Sequence, residues 1–421
     1  MNGSVVTAEK LDTRCCIAGG GPAGIMLGFL LARAGVDVVI LEKHVDFFRD
    51  FRGDTIHPST FQIVHELDLL NEFLKQPHQE VQLLSAQIGE TLTAVADFTH
   101  LSTHCKFLGF MPQWDFLTFF STHANNYAEF HLKMEAEVID LIWTDGKIAG
   151  VRAKTPSGTL EVRSDLVIGA DGRHSIVRQK AGLKIVQSGV PIDVLWFRLT
   201  RYSSDPGQVL FRADYGNFFL MIDRGDYFQC GLVIRKGAFD QIQQQGLPVF
   251  RDDLAKLVPF MRDRLDEIRD WNDLHILTVR VDRLRKWFRP GLLCIGDAAH
   301  AMSPVGGVGI NLAIQDAVAA ANILATPLRQ GTLNIEHLRR VQTRRELPTR
   351  MTQRLQILIQ DHLIERFLNT SKRMSPPLPV RLLGRWPFLR RIPARVVGIG
   401  FRPEHVRTPD LHKPSETPQS E

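Results

Sequence analysis

The stretch TRCCIAGGGPAGIMLGFLLARAGVDVVILE, residues 13–42, decides the fold. Thr13–Ala18 is a short apolar run compatible with a strand. Gly19-x-Gly21-x-x-Gly24 follows, then a helix-like stretch from Ala23 to about Ala34 that Gly35 closes. Val36–Leu41 is a second run, rich in β-branched residues. Together they form a β-α-β unit, the crossover that parallel strands require. In such a turn the first glycine permits the tight bend and the second lets a pyrophosphate approach the backbone. The third lets helix and strand pack closely. Pro22 and Ala23 open the helix, whose unpaired N–H groups and positive dipole end suit phosphates. Glu42 ends the second strand, where a carboxylate accepts from adenosine ribose hydroxyls and repels a 2′-phosphate. Cys15–Ala32 is free of charge and nearly long enough to span a membrane, but its glycines and Pro22 favour a strand–turn–helix.

Bulk properties bound what surrounds this unit. The 421 residues are 44% apolar and 23% charged, enough for two or three globular domains. Net charge is +5, from 51 basic and 46 acidic residues, and the basic surplus sits in the arginine-rich C-terminal section. Such a section can touch a membrane or nucleic acid, yet a solvated helical face is the plainer reading, and no nucleic-acid partner is expected. Five irregularly placed cysteines make no disulfide framework. With no apolar leader in residues 1–14, the expected location is cytoplasmic. No His/Cys cluster has zinc spacing, so no metal is expected.

Further along, Pro58–Leu74 and Gln113–Ala124 read as helices, and Asp145-Gly146 and Ser157-Gly158 as hairpin turns. Val194–Leu199, Asn217–Ile222 and Tyr227–Ile234 are rich in aromatic and β-branched residues, which predicts a mostly antiparallel sheet. A long helix is expected over about 310–325 and another, rich in arginine, over 335–370. The predicted fold is α/β, a Rossmann-type domain with an inserted antiparallel sheet and a helical C-terminal section. The expected division assigns 1–80, 109–182 and 284–330 to the Rossmann-type domain and 183–283 to a substrate domain. The strands of 81–108 join the latter, 331–407 is helical, and 408–421 is a disordered tail.

Two later segments identify the dinucleotide. LVIGADGRHSIVR, residues 166–178, resembles the Asp-Gly segment of the para-hydroxybenzoate hydroxylase family. LLCIGDAAHAMSPVGGVGIN, residues 292–311, resembles that family's Gly-Asp segment. These are the class A flavoprotein monooxygenases, and all three motifs occur in the family's order over residues 14 to about 325. The resemblance implies bound FAD, NAD(P)H as co-substrate, and hydroxylation of an electron-rich small molecule through a flavin C4a-hydroperoxide. It implies that Asp297 accepts from the ribityl chain and that Pro304 lines the reacting flavin face. Gly307 and Gly309 would lie in the glycine-rich run passing the flavin, and the amides near Ile310 and Asn311 would point at the pyrimidine edge, where fixed N–H dipoles stabilise the reduced anion. Asp171, Arg52 and Gln113 match further FAD contacts of the family, and Arg173 and Arg178 are candidate phosphate contacts. His57, His174 and His300 are read as structural rather than catalytic.

The chain also departs from the pattern. Val308 stands where some relatives carry lysine, and the paired tyrosines that activate a phenol have no counterpart by motif. Trp196, Phe197, Phe218 and Phe219 are candidate pocket lining, with core packing expected at half of them. An FAD-dependent reductase of a lipid-like or quinone-related substrate and a non-catalytic flavin-fold binding protein are the alternatives. Residues 382–401 mix arginines with Leu, Trp, Phe, Ile and Val. Packing on the substrate domain or in a homodimer is preferred there over peripheral membrane contact.

Overall fold

The run before the glycine turn forms strand β1 (Glu9–Ala18), exposed at its start and buried over its last four residues. The computed structural model describes residues 9–48, 55–206, 211–368, 370 and 372–412. β1 lies parallel to β2 (Val38–Leu41) on one side and β3 (Gly158–Gly169) on the other. β3 pairs in turn with β4 (Leu292–Cys294), and Phe130–Lys133 extends the parallel set beyond β2. Helix α1 (Pro22–Arg33) is apolar all round because it is enclosed all round, by the sheet, by Gln113–Ala124 and by α2 (Gly309–Gln330). The hairpin strands Glu137–Thr144 and Lys147–Thr155 turn at Asp145-Gly146, both at positive φ, and at Ser157-Gly158.

Register brings the three motifs together. Ala18 pairs with Gly169, and Gly169 with Cys294. The glycine turn, the Asp-Gly segment and the Gly-Asp segment therefore leave the sheet side by side, at its carboxyl edge. That is where open parallel sheets bind ligands.

A second sheet has seven strands, in the order His275–Leu277, Ile192–Thr200, Tyr227–Arg235, Asn217–Asp223, Phe211–Asp214, Leu83–Ile88, Thr91–Asp97. It is antiparallel apart from the pairing of Phe211–Asp214 with Leu83–Ile88. Alternation sorts its aromatics onto two faces. Leu195, Phe197 and Phe219 pack beneath the helix Leu247–Leu257, whereas Val194, Trp196 and Ile222 face the other way with Phe98, Leu101 and Ala394. The helices Phe239–Gln245 and Leu247–Leu257 interrupt the stretch read as sheet, Phe250, Leu254 and Leu257 repeating at helical spacing. Ile185–Ser188 also leaves that sheet and pairs with Val281–Leu284 in a small separate one.

The C-terminal section continues as α3 (Ile335–Ile359), α4 (Leu378–Arg385) and α5 (Arg391–Gly398), the last two packed on Thr91–Asp97. A disordered tail from Thr408 does not hold over its first residues. Arg33 donates to the Thr408 carbonyl at 3.0 Å and pairs with Asp410 at 3.2 Å, and Leu411 N–H donates to the Arg33 carbonyl at 3.0 Å. Residues 413–421 lie outside the described ones. Among the described residues one helix, Val305–Gln330, is long and apolar enough to cross a membrane, and its apolar stretch is 83% buried, as in a core helix.

Candidate active site

The glycine turn is set by close approach. A Cβ on Gly24 would stand 1.9 Å from the Gly19 carbonyl oxygen, so only glycine lets α1 begin there. Gly21 is the N-cap, Pro22 takes the first helical turn, and no side chain caps the helix. Its first amides are therefore available donors, and nothing lies within 4 Å of where a Gly21 Cβ would be. Glu42 closes the other side. Its Oε2 accepts from Gly20 N–H at 2.8 Å, its Oε1 from His44 N–H at 3.1 Å, and the side chain is 12% exposed. An open cradle of backbone N–H groups with one fixed carboxylate at its lip fits the phosphates and adenosine ribose of FAD.

The Asp-Gly and Gly-Asp segments are tied to each other. Arg173 Nε reaches Asp297 at 2.9 Å across 124 residues of sequence. Buried Arg178 donates to the carbonyls of Arg173 at 2.6 Å and Ala298 at 3.2 Å. Arg178 thus braces the two segments. Asp297 is about a third exposed at the sheet edge. Asp171 is turned inward, accepting from Ser175 Oγ at 2.5 Å and Val177 N–H at 3.1 Å. Burial raises its carboxyl above the usual range despite those hydrogen bonds. Its carboxylate fixes the turn. Gln113 opens the helix Gln113–Ala124 and is half-buried. Arg52 lies outside the described residues.

The glycine run is held from three sides. Pro304 precedes a short turn in which Gly306 and Gly307 have φ of 82° and 60°, and a Cβ on Gly307 would meet the Thr55 side chain at 2.7 Å. Gly309 opens α2 without a side-chain cap, with Ile310 and Asn311 in its first turn. The Asn311 side chain is fully engaged. Its Oδ1 accepts from His57 N–H at 2.8 Å and Thr60 Oγ1 at 2.7 Å, and its Nδ2 donates to the carbonyls of Thr55 at 2.9 Å and Gly307 at 3.1 Å. Asn311 therefore fastens residues 55–60 to the run and has only its backbone amide to offer a ligand.

The remaining two holds were not evident from sequence. Gln356 accepts from Ser303 N–H at 3.2 Å and donates to the carbonyls of Ser303 at 2.9 Å and Val305 at 2.8 Å. Gln360 donates to Ser303 Oγ. These two buried amides lie one turn apart on the third helix and its continuation; Gln356 grips the backbone on both sides of Pro304 and Gln360 holds the Ser303 hydroxyl beside it. Deeper still, Asp316 accepts from Gly296 N–H at 3.1 Å, His300 Nε2 at 2.5 Å and Arg345 Nε at 2.9 Å. Burial alone would raise the Asp316 carboxyl, but His300 and Arg345 outweigh it and hold it below the ordinary range. The network binds the Gly-Asp segment to α2 and α3, a structural use for His300. The only available signals were uncharged glutamines at i, i+4 and a lone acid within the apolar α2 pattern.

His57 is buried at 1% exposure, and its ring lines a cavity of about 60 Å³ with Gly306, Val308, Gln315, Gln356 and Val397. That space suits water rather than a ring system. Burial pushes the imidazole down to about 4, with the carbonyls of Val397 and Gly306 opposing it, so the ring is neutral near pH 7. Val305 of the glycine run packs on the same apolar cluster as Trp196, Phe218 and Leu220 of the seven-stranded sheet and Val397 and Ile399 of the C-terminal section. The Trp196 indole N–H is buried there with no acceptor among the described residues. No metal-ligating cluster is found among the described residues.

Residues 12–354 match the family model of the FAD-binding domain, and the chain belongs to that family, that of the class A FAD-dependent monooxygenases. Among its relatives is 6-methylpretetramide 4-monooxygenase of Streptomyces rimosus, 30% identical over 97% of each chain. Two solved structures share the fold. p-Nitrophenol 4-monooxygenase PnpA of Pseudomonas putida has a TM-score of 0.76 at 18% identity, covering 92% of this chain and 97% of that one. The anhydrotetracycline hydroxylase OxyS of Streptomyces rimosus has a TM-score of 0.72 at 21% identity, covering 92% of this chain and 76% of that one.

Proposed function

We propose that this FAD-dependent monooxygenase hydroxylates a neutral, fused-ring aromatic molecule held between the glycine run Pro304–Asn311 and the inner face of the seven-stranded sheet. The observation that carries this is the apolar cluster joining Val305 to Trp196, Phe218 and Leu220, with one unpartnered indole N–H in it among the described residues. An apolar wall selects flat, uncharged rings, and a lone buried donor selects an oxygen at one position on them. The relative that acts on 6-methylpretetramide, alike over nearly its whole length, supports the same class. FAD, once reduced by NAD(P)H, supplies O₂ activation and transfer of one oxygen atom.

The chain's own residues do the rest. Glu42 and the first amides of α1 bind the adenosine and phosphate end, and Asp297 orients the chain between the two ring systems. The amides of Ile310 and Asn311, at the positive end of α2, favour negative charge at the facing ring edge. Gln356 and Gln360 set Pro304, and the C-terminal section excludes water from the apolar cluster.

The test is turnover by the purified yellow protein over a panel of polycyclic phenols and anthrones. Substrate-dependent NAD(P)H oxidation with one atom of labelled O₂ in the product is expected. Saturation of a substrate double bond with no oxygen uptake would instead assign the chain to reduction.

A further inference from the structure

The C-terminal section has two faces of opposite character. Its inner face is packed. Val380 is buried against Ile88 and Phe367, Ala394 against Phe98 and Leu101, and a Cβ on Gly398 would stand 2.9 Å from Leu101 Cδ1. Its outer face carries Leu378, Trp386, Phe388 and Ile392, which are 67%, 47%, 61% and 62% exposed. Four large apolar side chains left in water within fifteen residues form a patch rather than the usual scatter. Arg381, Arg385, Arg391 and Arg395 are exposed among them. Arg381 and Arg390 turn their guanidinium groups onto the neutral carbonyls of Pro376 and Leu383, so their charge is not cancelled. No acidic residue occurs from 366 to 403; from other elements Asp97 acts on Arg391, and Glu90 pairs with Arg373 at 2.8 Å.

We infer that this face docks on an anionic lipid surface. Exposed Trp, Phe, Leu and Ile interleaved with arginine match the two requirements of a membrane interface, apolar insertion and attraction to phosphate headgroups. A second copy of this chain fits less well, because a two-fold contact sets the patch against itself and brings arginines together with no acid between them. A nucleic acid would leave Leu378 and Ile392 without a function. The docking face belongs to the segment whose Val397 and Ile399 pack on the apolar cluster that the proposed function takes as the substrate wall. Docking there would bring the bilayer to the same section of the chain, which suits an apolar substrate that partitions into it. That last step rests on the proposed substrate class; the docking itself does not.

The experiment is co-sedimentation of the FAD-loaded protein with vesicles of phosphatidylcholine alone, or with about one-third phosphatidylglycerol, without any turnover. Pelleting with the anionic vesicles and little with the neutral ones is expected. Arg385→Gln with Arg395→Gln should lower partitioning roughly thirtyfold, at about fivefold per arginine. Phe388→Ser with Ile392→Ser should abolish it, and both double variants should keep the wild-type melting temperature and flavin content because these side chains are exposed. Absence of pelleting, or equal pelleting of wild type and variants, overturns the inference. So does a patch that governs a monomer–dimer equilibrium in light scattering while leaving vesicle binding unchanged.

Discussion

At the scale of single residues, two side chains separate cofactor binding from substrate selection. Glu42 is fixed by Gly20 N–H at 2.8 Å, so its carboxylate is presented in one orientation. Glu42→Gln is expected to weaken FAD binding about tenfold or more, since hydrogen bonds to a charged acceptor are worth about 1.5–3 kcal/mol. Fluorescence titration of the apoprotein measures it, and an unchanged Kd would remove Glu42 from the site. Trp196 acts on the other molecule. Its N–H has no acceptor among the described residues, so Trp196→Phe should leave the melting temperature unchanged or raise it slightly. With substrate the same change should raise KM about tenfold while FAD affinity stays constant. A variant with unaltered KM would mean that the indole N–H meets no substrate oxygen.

At the scale of elements, the glutamine grip of α3 on the glycine run matters most. Gln356 satisfies one N–H and two carbonyls beside Pro304. Gln356→Leu keeps the helix and removes the grip, leaving buried backbone groups unpaired at about 1–3 kcal/mol each. The folded variant should show a shifted flavin absorbance and a larger share of NAD(P)H oxidation ending in hydrogen peroxide, because the wall beside the ring is no longer fixed. A purely structural role would lower the melting temperature and leave coupling intact. The C-terminal anchor is a second such element. Truncation after Arg407 removes the contacts of Thr408, Asp410 and Leu411 with Arg33. It exposes a buried cation at the end of α1 and should lower the melting temperature by a few degrees, at about 1 °C per kcal/mol for a chain this large.

At the scale of the whole molecule, acid stability carries the mark of His57. The folded chain holds this ring neutral down to about pH 4, whereas the unfolded chain takes up a proton below about 6.5. Stability is therefore complete above pH 6.5 and falls as pH drops toward 4, by about 3 kcal/mol over that window. The groups around the ring, Asn311, Gln315, Gln356 and the carbonyls of Gly306 and Val397, bear no charge that could offset this. Melting temperatures across pH 4–8 should fall more steeply on the acid side for wild type than for His57→Gln. Parallel curves would show that the ring protonates without cost. The same titration predicts no limb near pH 6.5 from His57 in the activity profile.

The sequence alone carried the β-α-β unit, the glycine turn, Glu42 and the order of the three motifs. Each depends on local geometry, where one residue type at one spacing satisfies a backbone requirement. Hairpin turns at Asp145-Gly146 and Ser157-Gly158 were legible for the same reason. Tertiary structure decided the rest. Asp171 turned inward because Ser175 and the amide of Val177 claim it, and no motif states where a carboxylate points. The two faces of Trp196 and Phe197 follow from strand register, and Asp316, Gln356 and Gln360 reach partners that are near only after folding. Long-range hydrogen bonds between buried polar groups have no period in the chain, so only the packed molecule reveals them.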